Sequence, residues 1–173
     1  CEAILVTASG CGALVKDYGE ILAHDPHYAA KAARVAALAR DPVEILAQED
    51  LSALGAPGRG RRVAFHAPCT LQHGQRLKQV VEPILAGLGF VPTAVPDGHL
   101  CCGSAGTYSI SQPVLSEALR ANKIAALASG APDVIATANI GCQLHLAAGT
   151  EIPVVHWLEL LDPASAPKLP TAN

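Results

Sequence analysis

Four of the six cysteines in this 173-residue sequence are spaced in a way that invites metal chemistry. Cys101 and Cys102 are adjacent and run into Gly103-Ser104-Ala105-Gly106. Neighbouring side chains on a regular helix or strand point apart, so a Cys-Cys pair that shares one site needs irregular backbone. Gly103 and Gly106 permit it, because glycine tolerates positive φ and close approach of an inorganic group. Cys69 precedes the pair by 31 intervening residues and Cys142 follows it by 39. The expectation is a fold that brings Cys69, Cys101, Cys102 and Cys142 to one point. Zinc sites usually draw ligands from close pairs such as C-x2-C. Adjacent thiolates suit a group of several irons, since neighbours can bind different metal atoms, and soft thiolates in a reducing compartment favour iron–sulfur clusters. Zinc, thiol–disulfide exchange and cysteines buried as small inert hydrophobes stand as alternatives. The last of these describes Cys1, which reads as a non-ligand.

Composition narrows the partners. The net charge of −3 and a single short basic group, Arg59, Arg61 and Arg62, give no footprint for nucleic acid. Half the residues are apolar and 16% are charged, so the chain should be globular. No run of about 20 apolar residues exists to span a membrane, and no signal peptide is recognisable. For a chain this large and apolar, that argues for thiols kept reduced rather than paired in disulfides. The sequence has no methionine and opens at Cys1-Glu2 straight into an apolar run, so a fragment beginning partway through a longer protein is expected.

Hydrophobic periodicity supplies the elements that must position the thiols. Residues 3–7 read as a buried strand ending in a Gly10-Cys11-Gly12 turn, followed by helices over 13–24 and 25–40 and another opened by Asp41-Pro42. Residues 55–60 (Gly-Ala-Pro-Gly-Arg-Gly) read as a linker. Beyond it, strands at 62–66, 90–95 (an edge strand, given Pro92), 133–137 and 152–155 alternate with helices at 75–88, 113–129, 143–148 and 156–161. Pro83 is expected to kink the first of these helices and Gly130 to cap the second. Residues 163–173 read as a mobile tail. Alternation of this kind predicts an α/β, Rossmann-like three-layer unit with a mostly parallel sheet. Ligands in such sheets bind beyond the carboxyl ends of strands, where Cys69, Cys101 and Cys142 all fall. Residues 3–11 also echo residues 133–142, each an apolar strand, a small polar turn and Gly-Cys.

The motifs His66-Ala67-Pro68-Cys69, Leu100-Cys101-Cys102-Gly103-Ser104-Ala105-Gly106-Thr107-Tyr108 and Ala138-Asn139-Ile140-Gly141-Cys142 resemble the cysteine-rich CCG domain family. Its members occur in heterodisulfide reductases, anaerobic glycerol-3-phosphate dehydrogenases, lactate-utilisation proteins and iron–sulfur subunits of glycolate oxidase. The detail is nearest the last, through Cys102 to Tyr108 with Gln112-Pro113, Leu71-Gln72-His73-Gly74-Gln75, and Gly10-Cys11-Gly12-Ala13-Leu14. The resemblance implies the tail of one CCG repeat (1–54) followed by a complete second one (61–162). It implies a [4Fe–4S] cluster on Cys69, Cys101, Cys102 and Cys142, and Cys11 as a metal ligand left from the first repeat. Gly103, Gly141 and His66 would line the cofactor. It further implies an oxidoreductase subunit with no catalytic residue in this region, passing electrons from a flavin-containing subunit of a glycolate-oxidising complex towards a quinone. A ferredoxin-like domain would lie upstream in the same protein. The location would be cytoplasmic, with peripheral attachment at the inner face of the cell membrane as a variant. Asn139 stands where heterodisulfide reductase has a cysteine, which puts a five-cysteine noncubane cluster in doubt. A heterodisulfide-reductase-like or lactate-utilisation protein with redox chemistry at the cluster, and a zinc-stabilised interaction domain, are the rival readings.

Overall fold

The computed structural model describes residues 1–162; the tail expected at 163–173 lies outside the described residues. Chain order is β1 (Ile4–Leu5), α1 (Ser9–Lys16), α2 (Tyr18–Ile21), α3 (Ala29–Leu38), β2 (Ala39–Arg40), α4 (Pro42–Leu46), β3 (Arg62–His66), α5 (Val81–Gly87), β4 (Val91–Pro92), α6 (Tyr108–Ser111), α7 (Pro113–Ala128), β5 (Val134–Thr137), α8 (Ile140–Ala147) and β6 (Val154–His156). A short 3-10 turn closes the described chain at Trp157–Leu161. The main sheet runs β4-β3-β5-β6 with every pair parallel, so the α/β expectation holds. β1 and β2 form a separate parallel pair.

The main sheet is covered on both faces, the arrangement that parallel strands require. Alternate residues divide between two apolar clusters. Val63, Phe65, Val134, Ala136 and Val155 join Val81, Leu85 and Trp157 on one side. Ala64 and Ile135 join Leu127, Leu146, Cys102 and Cys142 on the other. Two of the predicted ligands are thus part of the packing between β3, β5, α7 and α8. By the period of two, His66 and Thr137 share the face of Ala64 and Ile135, and they are register partners at the carboxyl ends of their strands.

Several sequence expectations require correction. The strand expected at 3–7 is only two residues long, and Leu5 is exposed, because β1 has a single partner strand. The helix expected at 13–24 starts four residues earlier and breaks at Asp17, so Cys11 lies inside its first turn rather than in a turn before it. The next helix begins at Ala29. Asp25 instead accepts from the backbone N–H of His27 and Tyr28, closing a turn, and residues 39–40 pair as a strand. Asp41 does cap α4, in a reciprocal box with Glu44.

The helix expected at 75–88 is confined to Val81–Gly87, with a wide turn at Thr70–Gly74 and positive φ at Arg76 and Gln79 between them. Pro83 then falls in the first turn, where its missing N–H costs nothing, and no kink is needed. β4 is at the sheet edge, as expected from Pro92, but it stops there instead of reaching residue 95. The positive φ after α7 falls on Ala131, not Gly130; a Cβ on Gly130 would sit 2.6 Å from Thr93 Cβ, so this glycine serves close packing. The helix expected at 143–148 starts at Ile140, which brings Gly141 and Cys142 into its first turn. The last strand, expected at 152–155, is shifted to Val154–His156. The segment 55–60 is packed: Gly58 and Gly60 donate backbone N–H groups to Leu88 O and Gly89 O, and Arg61 donates to Pro57 O and Gly58 O and lies over the Phe90 ring. No helix among the described residues is long and apolar enough to cross a membrane.

Candidate metal centre

The carboxyl ends of β3 and β5 form the floor of the site. β3 ends at His66, and Ala67-Pro68 leads directly to Cys69 at the head of the Thr70–Gly74 turn. β5 ends at Thr137, and Asn139 in extended conformation turns the chain into α8, with Cys142 as the third helical residue. Cys101 and Cys102 arrive on the long loop after β4. That loop is pinned from two sides. Gln72 Nε2 donates to Ala67 O (2.9 Å), Gly98 O (3.3 Å) and His99 O (3.5 Å). From α7, Lys123 Nζ donates to Asp97 O at 3.0 Å and Gly98 O at 3.4 Å. Just beyond the cysteines, Ser116 Oγ donates to Gly103 O at 2.9 Å.

The four thiols meet. Cys101 faces both Cys69 and Cys102, and Cys102 faces Cys142 in turn. Ligand atoms of His66, Cys102 and Cys142 all lie within 4.8 Å of one another. Burial and the neighbouring Cys101 push the Cys69 thiol up. Cys101 is raised further, by its contact with Cys102 and then by burial. At Cys102 the contact with Cys101 lowers the pKa, but the contact with Cys142 and burial outweigh it and leave the thiol at about 11. Cys142 is lowered, first by Cys102 and further by Asn139, whose Nδ2 donates to Cys142 Sγ at 3.6 Å. Ionising several thiols at this point piles up like charge that only a cation can offset.

His66 is buried, and among the described residues both ring nitrogens lack a hydrogen-bond partner. Burial, helped by the positive charge of Lys123, drives its pKa down to about 3, so it is a neutral imidazole with a free donor and a free acceptor facing the sulfurs. A buried polar group without a partner is costly, and a bound group would relieve that cost. Gly103 has φ +92°, and its N–H donates to Cys101 Sγ at 3.3 Å. A Cβ on Gly141 would meet Ser104 Oγ at 3.1 Å, so the start of α8 and the double-cysteine loop touch here.

Not every candidate joins the site. Cys11 is exposed, also as a third helical residue, and is absent from the set of mutually contacting thiols. α1 nevertheless abuts the site: Ser9 Oγ and Thr70 Oγ1 are 2.8 Å apart, and Ser9 N–H donates to Ala138 O. Cys1 is exposed and bonds Ala3 O locally. His73 and His99 are exposed, with His73 Nε2 against His99 O, and His145 Nε2 lies 3.3 Å from Ser116 Oγ. Lys123 and Ser116 belong to none of the sequence motifs, and Gln72 stands in one without a role of its own. The signal was available for the first two: they sit seven residues apart with Leu127 four further on, polar residues in the buried stripe of α7. A cavity of about 640 Å³ between Leu46, Leu51, Val80, Ile84 and Leu88 is lined by none of the thiols.

A parallel α/β unit that gathers cysteines from three strand-end loops defines a cysteine-rich domain. The sequence profile of the family described as "CCG: Cysteine-rich domain" matches residues 63–147, and the chain belongs to this family. It is 55% identical over 163 residues to the glycolate oxidase iron–sulfur subunit of Escherichia coli (strain K12), covering 94% of this chain and 40% of that one. It is 33% identical over 171 residues to lactate utilization protein A of Geobacillus kaustophilus (strain HTA426), covering 91% and 69% respectively. The probable glycolate oxidase iron–sulfur subunit of Bacillus subtilis (strain 168) is 28% identical over 179 residues, again with 40% of its length spanned.

Proposed function

We propose that this chain is the cluster-holding region of an iron–sulfur electron-transfer subunit in a glycolate-oxidising complex. The observation that carries it is the convergence of the Cys69, Cys101, Cys102 and Cys142 thiols beside a His66 ring that has no partner on either nitrogen among the described residues. The donor set fits: four soft thiolates match the ligand count of a [4Fe–4S] cluster. Such a group, when bound, supplies one-electron redox capacity. The protein's own residues do the rest. Cys69 and Cys142 would hold it from the ends of β3 and β5, and Cys101 and Cys102 would hold it from the loop clamped by Gln72, Lys123 and Ser116. The Gly103 N–H and the Asn139 amide direct hydrogen bonds at sulfur, the ordinary means of tuning a cluster, and the neutral His66 ring stands beside the sulfurs of Cys102 and Cys142. Burial of Cys102 and Cys142 keeps water away.

The wider assignment follows the relatives. Electrons would come from a flavin-containing partner subunit, substrate oxidation would take place there, and a quinone would lie downstream. An upstream ferredoxin-like domain and a cytoplasmic site, free or peripheral to the membrane, belong to the same proposal. Residues 1–54 are read as the tail of a first repeat. Supporting this, β1-α1 and β5-α8 each place a cysteine third in the helix, and β2 and β6 each lead to a cap completed by a glutamate, Glu44 and Glu159. The Asn139 contact with Cys142 favours a four-thiol cluster over the five-cysteine kind. One observation favours zinc instead, the compact His66, Cys102 and Cys142 set. Anaerobic purification with iron, sulfide and zinc analysis, and EPR of the reduced sample, separates the two. Iron and sulfide in equal amounts, roughly four of each per chain, are expected; stoichiometric zinc without acid-labile sulfide would sink the proposal.

A further inference from the structure

Lys123 is 2% exposed, at the centre of a helix that packs on the sheet beside the thiols. An ammonium group taken out of water is stable only when other groups replace its hydration. Here Asp97 O and Gly98 O do so. Both are neutral carbonyls, which solvate the charge without cancelling it. Its charge is felt by the thiols of Cys102 and Cys101 and by the Asp97 carboxylate, and burial opposes it by lowering the lysine pKa. His66, beside the sulfurs of Cys102 and Cys142, is neutral.

We infer that Lys123 is the fixed counter-charge of the cysteine site: anchored on the carbonyls of Asp97 and Gly98, its ammonium favours the more negative oxidation state of an iron–sulfur group on Cys101 and Cys102 and raises its reduction potential. The inference rests on the iron–sulfur proposal above. Reduction delivers one electron, from dithionite in the test below, and adds one negative charge while no protein bond forms or breaks. A positive charge held beside the sulfurs in a poorly solvated setting lowers the energy of that state more than of the oxidised one. A surface lysine would be screened by salt; this one is shielded from it by burial. Its second effect is positional, because the same ammonium and the Gln72 amide hold residues 97–99, the approach to Cys101.

The test is an EPR-monitored dithionite titration of the wild-type chain and of Lys123→Gln, Lys123→Met and Lys123→Arg, each with iron and sulfide determined. The glutamine and methionine variants should shift the reduction equilibrium at least tenfold towards the oxidised form, about 59 mV more negative for a one-electron couple. The arginine variant, which keeps the charge, should stay within about threefold of wild type. Loaded glutamine and methionine variants with unshifted potentials would overturn the role of Lys123 and leave the iron–sulfur proposal standing. A wild-type chain without iron and sulfide would overturn both, and is recognised before any variant is read. If the neutral variants do not fold, the arginine variant decides. An unmoved potential supports the charge, and a tenfold shift shows that packing alone matters.

Discussion

Replacing Gly103 with alanine should damage the site more than the same change three residues later. Gly103 has φ +92°, and a Cβ there would lie 2.4 Å from Ser116 O and 3.1 Å from Leu119 Cβ. Ser116 O belongs to the backbone of α7, so it cannot yield as a side-chain tip would. Three costs combine in Gly103→Ala. Left-handed backbone for a residue with Cβ costs about 1–2 kcal/mol, and overpacking against fixed atoms costs about 1–3 kcal/mol. Losing the Ser116 Oγ bond to Gly103 O costs about 1 kcal/mol. Gly106 has φ +61° with nothing within 4 Å of its built Cβ, so Gly106→Ala carries only the first cost. Urea unfolding of the metal-free protein should therefore place Gly103→Ala about 3–6 kcal/mol below wild type, or roughly 1.5–3 M in midpoint at a slope near 2 kcal/mol/M. Gly106→Ala should lose about 1–2 kcal/mol. Iron content after anaerobic reconstitution should fall for the first variant and hold for the second. If the two alanine variants unfold within about 0.5 kcal/mol of each other, the claimed contact between the double-cysteine loop and α7 is wrong.

Cys101→Ser and Cys142→Ser should each abolish the reduced-state EPR signal, whereas Cys1→Ser should leave it intact; the exposed position of Cys1 and the buried one of Cys142 make this a direct comparison. Asp41→Ala should cost about 1–2 kcal/mol by deleting the cap on α4, while Asp41→Asn should lose less, since burial already favours the uncharged form by raising the Asp41 pKa. Circular dichroism melts resolve the pair. His66 gives the metal-free protein an acid-sensitive window. Its folded pKa of about 3 lies below the ordinary 6.5, so the unfolded chain binds the proton more readily. The stability tied to neutral His66 is complete above pH 6.5 and is lost as pH falls towards 3, at about 2 kcal/mol between pH 6.5 and 5. In urea titrations at those two pH values, His66→Leu should show a smaller drop than wild type; an equal drop would rule out His66 as the source.

Much of this was legible from sequence alone. The Arg62–His66 strand, the α4 start at Asp41-Pro42 and the extent of α7 follow from short-range chemistry: a short apolar run, a capping side chain with proline, an apolar stripe along sixteen residues. Elements whose limits depend on partners were misjudged. Residues 75–80 carry the right apolar spacing for a helix yet are not helical, because Gln75 donates its amide to Ser9 O and Asp41 Oδ2 and the backbone turns with positive φ at Arg76 and Gln79. Ala39 and Arg40 look like the end of an alanine-rich helix and instead pair with β1.

Cysteine types and their spacing by themselves pointed to the proposed donor set, because four soft thiols suit an iron–sulfur group and three of the four positions follow expected strands. Which groups surround those thiols was decided by tertiary structure. Parallel pairing of β3 with β5 puts His66 beside Thr137, and among the described residues both side chains lack hydrogen-bond partners; the crossing of α7 brings Lys123 and Ser116 to a loop that precedes them in sequence by up to 26 residues. Such long-range contacts leave only a faint trace in local sequence, since a lysine in a helix is by default a solvated one until the packing of the sheet buries it.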